Sequence, residues 1–171
     1  LNGYDIIGAE NVTRIFNVYG VLNLCDHADE TGNYTGDVIS NYDAAGGNTQ
    51  TGRVFYVQNK ANAAFNLFGG NLKSNSKTNK GAVGGSAKTF NMYGGTITGG
   101  EALISGGSLQ IDGGTTTIYG GSISGGKALE GDNIYVSGGS LHVLGGSITG
   151  GKDVHLSAKA AMTVGGDAKI G

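Results

Sequence analysis

The chain has 171 residues, 35 of them glycine, with no proline or tryptophan, 14% charged residues and a formal charge of −2. Collagen is excluded because glycine does not recur at every third position and proline is absent. The 11 dispersed Lys and Arg residues make no basic patch for nucleic acid, and no run approaches the roughly 18 apolar residues that span a bilayer.

Leu1 to Glu10 is short and glycine-interrupted, and supplies no capping helix. Phe16-Asn-Val-Tyr-Gly20 reads as a strand running into a turn, followed by the apolar alternation Leu22-Asn-Leu24. Cys25 is the single cysteine, so no internal disulfide can form; the plainer reading is a small buried apolar residue rather than a reactive thiol. Residues 26–53 cluster Asp, Asn, Gly and Thr around Val38-Ile39 and read as either a long loop or the most irregular coil. Asp26, Asp29, Glu30, Asp37 and Asp43 lie there, and oxygen ligands on a loop can hold calcium. Their spacing matches neither an EF-hand nor the nonapeptide calcium repeat, so a solvated loop is preferred, and no metal or cofactor is expected. Asn11-Val-Thr13 and Asn33-Tyr-Thr35 are glycosylation sequons that matter only in a eukaryotic secretory host.

From Phe65 a repeat takes over. Phe65-Asn-Leu-Phe-Gly-Gly-Asn-Leu72, Phe90-Asn-Met-Tyr-Gly-Gly-Thr-Ile97, Thr116-Thr-Ile-Tyr-Gly-Gly-Ser-Ile123 and Leu141-His-Val-Leu-Gly-Gly-Ser-Ile148 align, with spacings of 25, 26 and 25 between their first glycines. Phe16-Asn-Val-Tyr-Gly20 falls 49 residues before Gly69 and reads as an earlier copy; Met162-Thr-Val-Gly-Gly166 reads as a later, shorter one. Apolar and polar residues alternate within each unit, which is the period of a strand, and Gly-Gly suits corners that need φ > 0. Lys73 to Lys80 is polar throughout and reads as a surface loop. Val54–Val57, Ala102–Ile104, Ile134–Val136 and Val154–Leu156 read as a second strand series. Ser105–Gly114 resembles Ser137–Gly146 at a spacing of 32, which implies a strand and turn, Gly113 to Tyr119, inserted into one coil.

The expected fold is all-β: a parallel β-helix, or β-solenoid, of about 25 residues per coil in roughly seven coils, a rod about 30 Å long. It is expected as a single domain over 1–171, with 1–64 less regular than 65–171. The units Phe90-Asn-Met-Tyr-Gly-Gly-Thr-Ile-Thr-Gly-Gly100, Ile118-Tyr-Gly-Gly-Ser-Ile-Ser-Gly-Gly126, Asn133-Ile-Tyr-Val-Ser-Gly-Gly139 and Leu144-Gly-Gly-Ser-Ile-Thr-Gly-Gly151 resemble the glycine-rich β-helix repeats of Gram-positive bacterial surface and secreted proteins. That resemblance implies a right-handed, pectate-lyase-like helix outside the cell or on its surface.

Enzymatic chemistry is not expected. A polysaccharide lyase on this architecture needs Arg or Lys beside clustered carboxylates. Here Arg14 and Arg53 fall in the less regular part, while Glu101, Asp112, Glu130, Asp132 and Asp153 are dispersed near turns. His27, His142 and His155 have no ligand-like spacing, and His142 falls where Asn66, Asn91 and Thr117 fall. The residues before the glycine corners, Tyr19, Phe68, Tyr93 and Tyr119, then Leu144, alternate outward and can form a strip for a sugar polymer or a neighbouring domain; the opposing reading tucks them against the rod. The function so read is a noncatalytic structural or adhesive module that contacts polysaccharide. The alternatives are a filament subunit joined through open solenoid ends and a polysaccharide lyase.

Overall fold

The computed structural model describes residues 1–10, 12–42 and 53–171; Asn11 of the first sequon and Asp43 of the acidic group lie outside the described residues. Among the described residues there are strands and turns and no helix. The strands come in trios. The first is β1 (Ile6–Gly8), β2 (Arg14–Val18) and β3 (Val21–Leu24); the second is β4 (Asp37–Ser40), β5 (Arg53–Val57) and β6 (Ala64–Leu67). Next come β7 (Asn71–Lys80), β8 (Gly84–Ser86) and β9 (Thr89–Met92), then β10 (Thr96–Ser105), β11 (Leu109–Ile111) and β12 (Thr115–Ile118). They are followed by β13 (Ser122–Ser124), β14 (Ile134–Val136) and β15 (Gly139–Val143), then β16 (Ser147–Thr149), β17 (Val154–Leu156) and β18 (Ala160–Val164), with β19 (Lys169–Ile170) last.

Each strand pairs in parallel with its counterpart one trio away rather than with its neighbour in sequence. The result is three parallel sheets, one of seven strands running from β1 to β19 and two of six, which is the architecture of a parallel β-solenoid. Alternation explains the interior. Phe65 and Leu67 sit in register with Phe90 and Met92 and all four are buried, while Asn66 and Asn91 between them face outward. Ile97, Ile123 and Ile148 stack in one fully buried column, each flanked by Thr or Ser on the outer face. Phe55, Phe65 and Phe90 pack with ring centroids 4.7, 5.0 and 5.5 Å apart. Burying a side chain of this size contributes about 1.5–3 kcal/mol, and here it is realised only when a neighbouring trio covers it.

The paired glycines do two different jobs. At the corner after β9, Gly95 holds φ +82°, while Gly94 is ordinary in φ but has no room for a Cβ, which would lie 2.7 Å from the Phe68 carbonyl oxygen. Gly84 and Gly85 are not a corner at all. They lie inside β8, where a Cβ on Gly84 would strike the Phe55 ring on the inner side and one on Gly85 would meet Arg53 Nη1 at 2.6 Å on the outer side.

Several sequence expectations are corrected. Phe16 pairs with Phe55, so the counterpart of Phe65-Asn-Leu67 is Leu22-Asn-Leu24 and not Phe16-Asn-Val18. Gly113 to Tyr119 is no insertion: β12 stacks regularly between β9 and β15. The spacing of 32 arose because Leu109–Ile111 and Leu141–Val143 belong to different sheets, Leu109 being paired with Ile134. Ala102–Ile104 belongs to β10, and the second strand series runs through Leu109–Ile111 instead. Residues 73–80 form most of strand β7, with small hydroxyl residues Ser74, Ser76 and Thr78 turned inward and buried between outward Lys and Asn. Val38 and Ile39 lie in β4, an ordinary member of the seven-stranded sheet. Cys25 is exposed, because it follows the inward Leu24 and takes the outward corner slot. The later copy stands as read: Met162 and Val164 pair with Leu141 and Val143.

Candidate functional site

The aromatic corner is built by the backbone. Leu67, Met92 and Ile118 are inward and end their strands, so the next residue, Phe68, Tyr93 or Tyr119, is turned outward at the bend. The bend is held from trio to trio: Tyr93 N donates to the Leu67 carbonyl at 2.8 Å, Tyr119 N to Met92 at 2.8 Å and Leu144 N to Ile118 at 2.8 Å. This ladder sets the ring spacing. Phe68 and Tyr93 stack with centroids 4.8 Å apart and planes 5° from parallel; Tyr93 and Tyr119 stack at 4.9 Å and 3°. The three rings are 45%, 44% and 47% exposed, and half-exposed Leu144 extends the row.

The rings point outward, yet each lies against the next, so the row offers a ridge of ring edges and rims rather than a floor of open faces. Tyr34 lies beside it, its ring where a Cβ on Gly69 would stand. Tyr19 is not in the row. It follows β2, whose partner is β5, and the slot in line with Phe68 is held by Cys25. Behind the row, on the outer face of the same sheet, Asn91 Nδ2 donates to Asn66 Oδ1 and Asn66 Nδ2 to Asn23 Oδ1, both at 2.8 Å. His142 continues that line after Thr117, in register as its sequence position implies.

A second constellation was not foreseen. Arg14 and Arg53 are register partners on β2 and β5, and their guanidinium carbons lie 4.9 and 5.2 Å from the centroid of the Tyr56 ring. Arg53 is only 7% exposed, with Nε and Nη2 donating to the Lys80 carbonyl at 3.0 and 2.7 Å. Tyr56 Oη donates to Asp112 Oδ2 at 3.3 Å, and Gln110 and Ser137 donate to Asp112 Oδ1. Burial pulls the Arg53 pKa below its ordinary value and the like charge of Arg14 adds to that, against Asp112 and Tyr56. Burial and then the Asp112 carboxylate push the Tyr56 phenol up. The signal is present in the sequence as Arg14-Ile-Phe-Asn-Val18 and Arg53-Val-Phe-Tyr-Val57, but the likeness of Phe16-Asn-Val18 to Phe65-Asn-Leu67 masks it.

The acidic residues of the first loop serve separate partners. Asp26 accepts from Gly3 N and Gly36 N, Asp29 from Thr31 and Asn33, and Asp37 pairs with Lys73 Nζ at 2.6 Å. No group of three His, Cys, Asp or Glu gathers to hold a metal among the described residues. Comparison with protein-family models, with curated proteins and with solved structures gave no match.

Proposed function

We propose that this chain is a noncatalytic structural and adhesive module, outside the cell or on its surface, that contacts polysaccharide along the Phe68–Tyr93–Tyr119 ridge. The observation that carries this reading is the row itself: three half-exposed, mutually stacked rings held by main-chain hydrogen bonds on a rigid sheet corner. Such a ridge is pre-organised, so contacting a partner costs little side-chain entropy. The outer rims of the rings supply apolar contact area, and the two phenols at Tyr93 and Tyr119 offer hydroxyls to sugar oxygens. Tyr19 takes no part. The finer fold belongs to this proposal: a right-handed coil of about 25 residues in roughly seven turns. Register partners such as Phe65 and Phe90, or Ile123 and Ile148, 25 residues apart support it.

The test is retention on immobilised polysaccharides and a glycan array, comparing the intact chain with Tyr93→Ala/Tyr119→Ala. The double variant should keep its amide spectrum and lose retention by about tenfold or more, as expected when central aromatic contacts are removed. Retention unchanged by the double substitution refutes the ridge as the contact.

A second reading, end-to-end assembly, is favoured by the exposed apolar residues Ile6 and Ile7 of β1, Val164 of β18 and Ile170 of β19. Electron micrographs of concentrated protein decide it: rods longer than one molecule support assembly, and single particles at every concentration refute it.

A further inference from the structure

We propose that the outer face of β2 and β5 carries a binding site for a small oxyanion, with Arg14 and Arg53 as its cationic partners and Tyr56 as the platform that aligns them. This site lies apart from the aromatic ridge and does not depend on it. Its geometry is that of an open cleft of about 290 Å³ lined by Arg14, Arg53, Tyr56, Gln58, Lys80 and Asp112. Three of those residues are cations and one is a carboxylate, so the cleft carries excess positive charge.

Neither arginine has an ion-pair partner among the described residues, where the ion pairs are Lys73 with Asp37 and Lys77 with Glu101. Arg14 Nε is buried without a hydrogen-bond partner, and the Arg14 guanidinium is held over Tyr56 rather than by an acceptor. A donor left buried and unpaired is unfavourable until an acceptor reaches it. Arg53 is anchored through Nε and Nη2 to the Lys80 carbonyl, which leaves Nη1 without a hydrogen bond among the described residues. Gly85 leaves room for it beneath, since any side chain there would collide with Nη1 and with the Tyr56 ring. Asp112 opposes the cationic charge of the cleft but forms no ion pair with either arginine among the described residues. Its oxygens accept from Tyr56, Gln110 and Ser137, which fixes the ring and leaves the guanidinium donors open. Two like charges held side by side by packing, with donors unspent, match the planar or tetrahedral oxygens of a carboxylate, sulfate or phosphate group.

The experiment titrates the intact chain with sodium sulfate, sodium phosphate and sodium acetate at constant ionic strength, following backbone amides of residues 53–57 and 84–86 and arginine Nε–H signals by NMR. Saturable shifts centred on Arg14, Arg53 and Gly85 are expected, and comparing the three salts separates tetrahedral from planar anions. Arg14→Gln should weaken binding about tenfold or more, the loss of one charge-assisted contact. Asp112→Asn, a change at an exposed residue, should strengthen it about threefold or more by removing the opposing charge. Shifts that grow linearly without saturation, or saturable binding that ignores Arg14→Gln, overturn the site. So does Asp112→Asn binding no tighter than the parent chain, an arm that holds even if Arg14→Gln fails to fold.

Discussion

Replacing Gly95 by alanine tests whether the corners, as distinct from the apolar column, impose glycine on this fold. Gly95 sits at φ +82°, where an L-residue costs about 1–2 kcal/mol. The added Cβ would also stand 2.5 Å from the Gly70 carbonyl oxygen, which accepts the Thr96 amide hydrogen bond at 2.9 Å that joins one trio to the next. Relieving that overlap means lengthening or losing the bond, worth about 1 kcal/mol more. Gly95→Ala is therefore expected to destabilise by about 2–3 kcal/mol. Gly20 is the internal control: its φ lies outside the left-handed region and a Cβ there meets nothing within 4 Å. Gly20→Ala should stabilise by about 0.4–1 kcal/mol through the unfolded chain. Urea unfolding followed by far-UV circular dichroism, with both variants fitted to a common slope, measures the gap. Equal stabilities for the two variants, or a Gly20→Ala loss as large as that of Gly95→Ala, would refute the steric account of the corners.

Gly84→Ala should destabilise by about 1–3 kcal/mol, because its Cβ would lie 2.2 Å from the Phe55 ring in a full core. Phe55→Leu in the same chain should recover part of that loss, and thermal melts of the singles and the double read the coupling. Stability should also fall in acid. Burial pushes Asp26 and Asp132 up, but it is outweighed by donation from Gly3 N and Gly36 N to Asp26, and from Lys152 N and Ala128 N to Asp132. Both pKa values are therefore depressed, helped by the Lys152 charge at Asp132. A carboxylate lowered in the folded state stabilises above its unfolded pKa, and that contribution drains away as pH falls through the folded value, below about pH 4. Asp26→Asn should flatten this part of a stability-versus-pH curve measured by denaturant midpoint, and an unchanged curve would refute the assignment.

Much of the architecture was legible in the chain because its signal is local. Alternation in Phe90-Asn-Met92, the recurrence of Ile97, Ile123 and Ile148, and glycine at corners such as Gly95 each follow from backbone geometry within a few residues, and repetition turned them into parallel stacking. The aromatic ridge was legible for the same reason from Phe68 onward. Pairing decided the rest. Strand β7 went unread because its buried face is Ser74, Ser76 and Thr78, so alternation carried no contrast in polarity. Which early segment is the counterpart of which could not be settled from look-alike words, since every sheet uses the same strand-and-glycine vocabulary. Register placed Phe16 on Phe55, put Cys25 instead of Tyr19 in line with Phe68, and brought Arg14 against Arg53. Those neighbours lie about forty residues apart in sequence, and only the accumulated fit of the strands between them fixes which side chains meet.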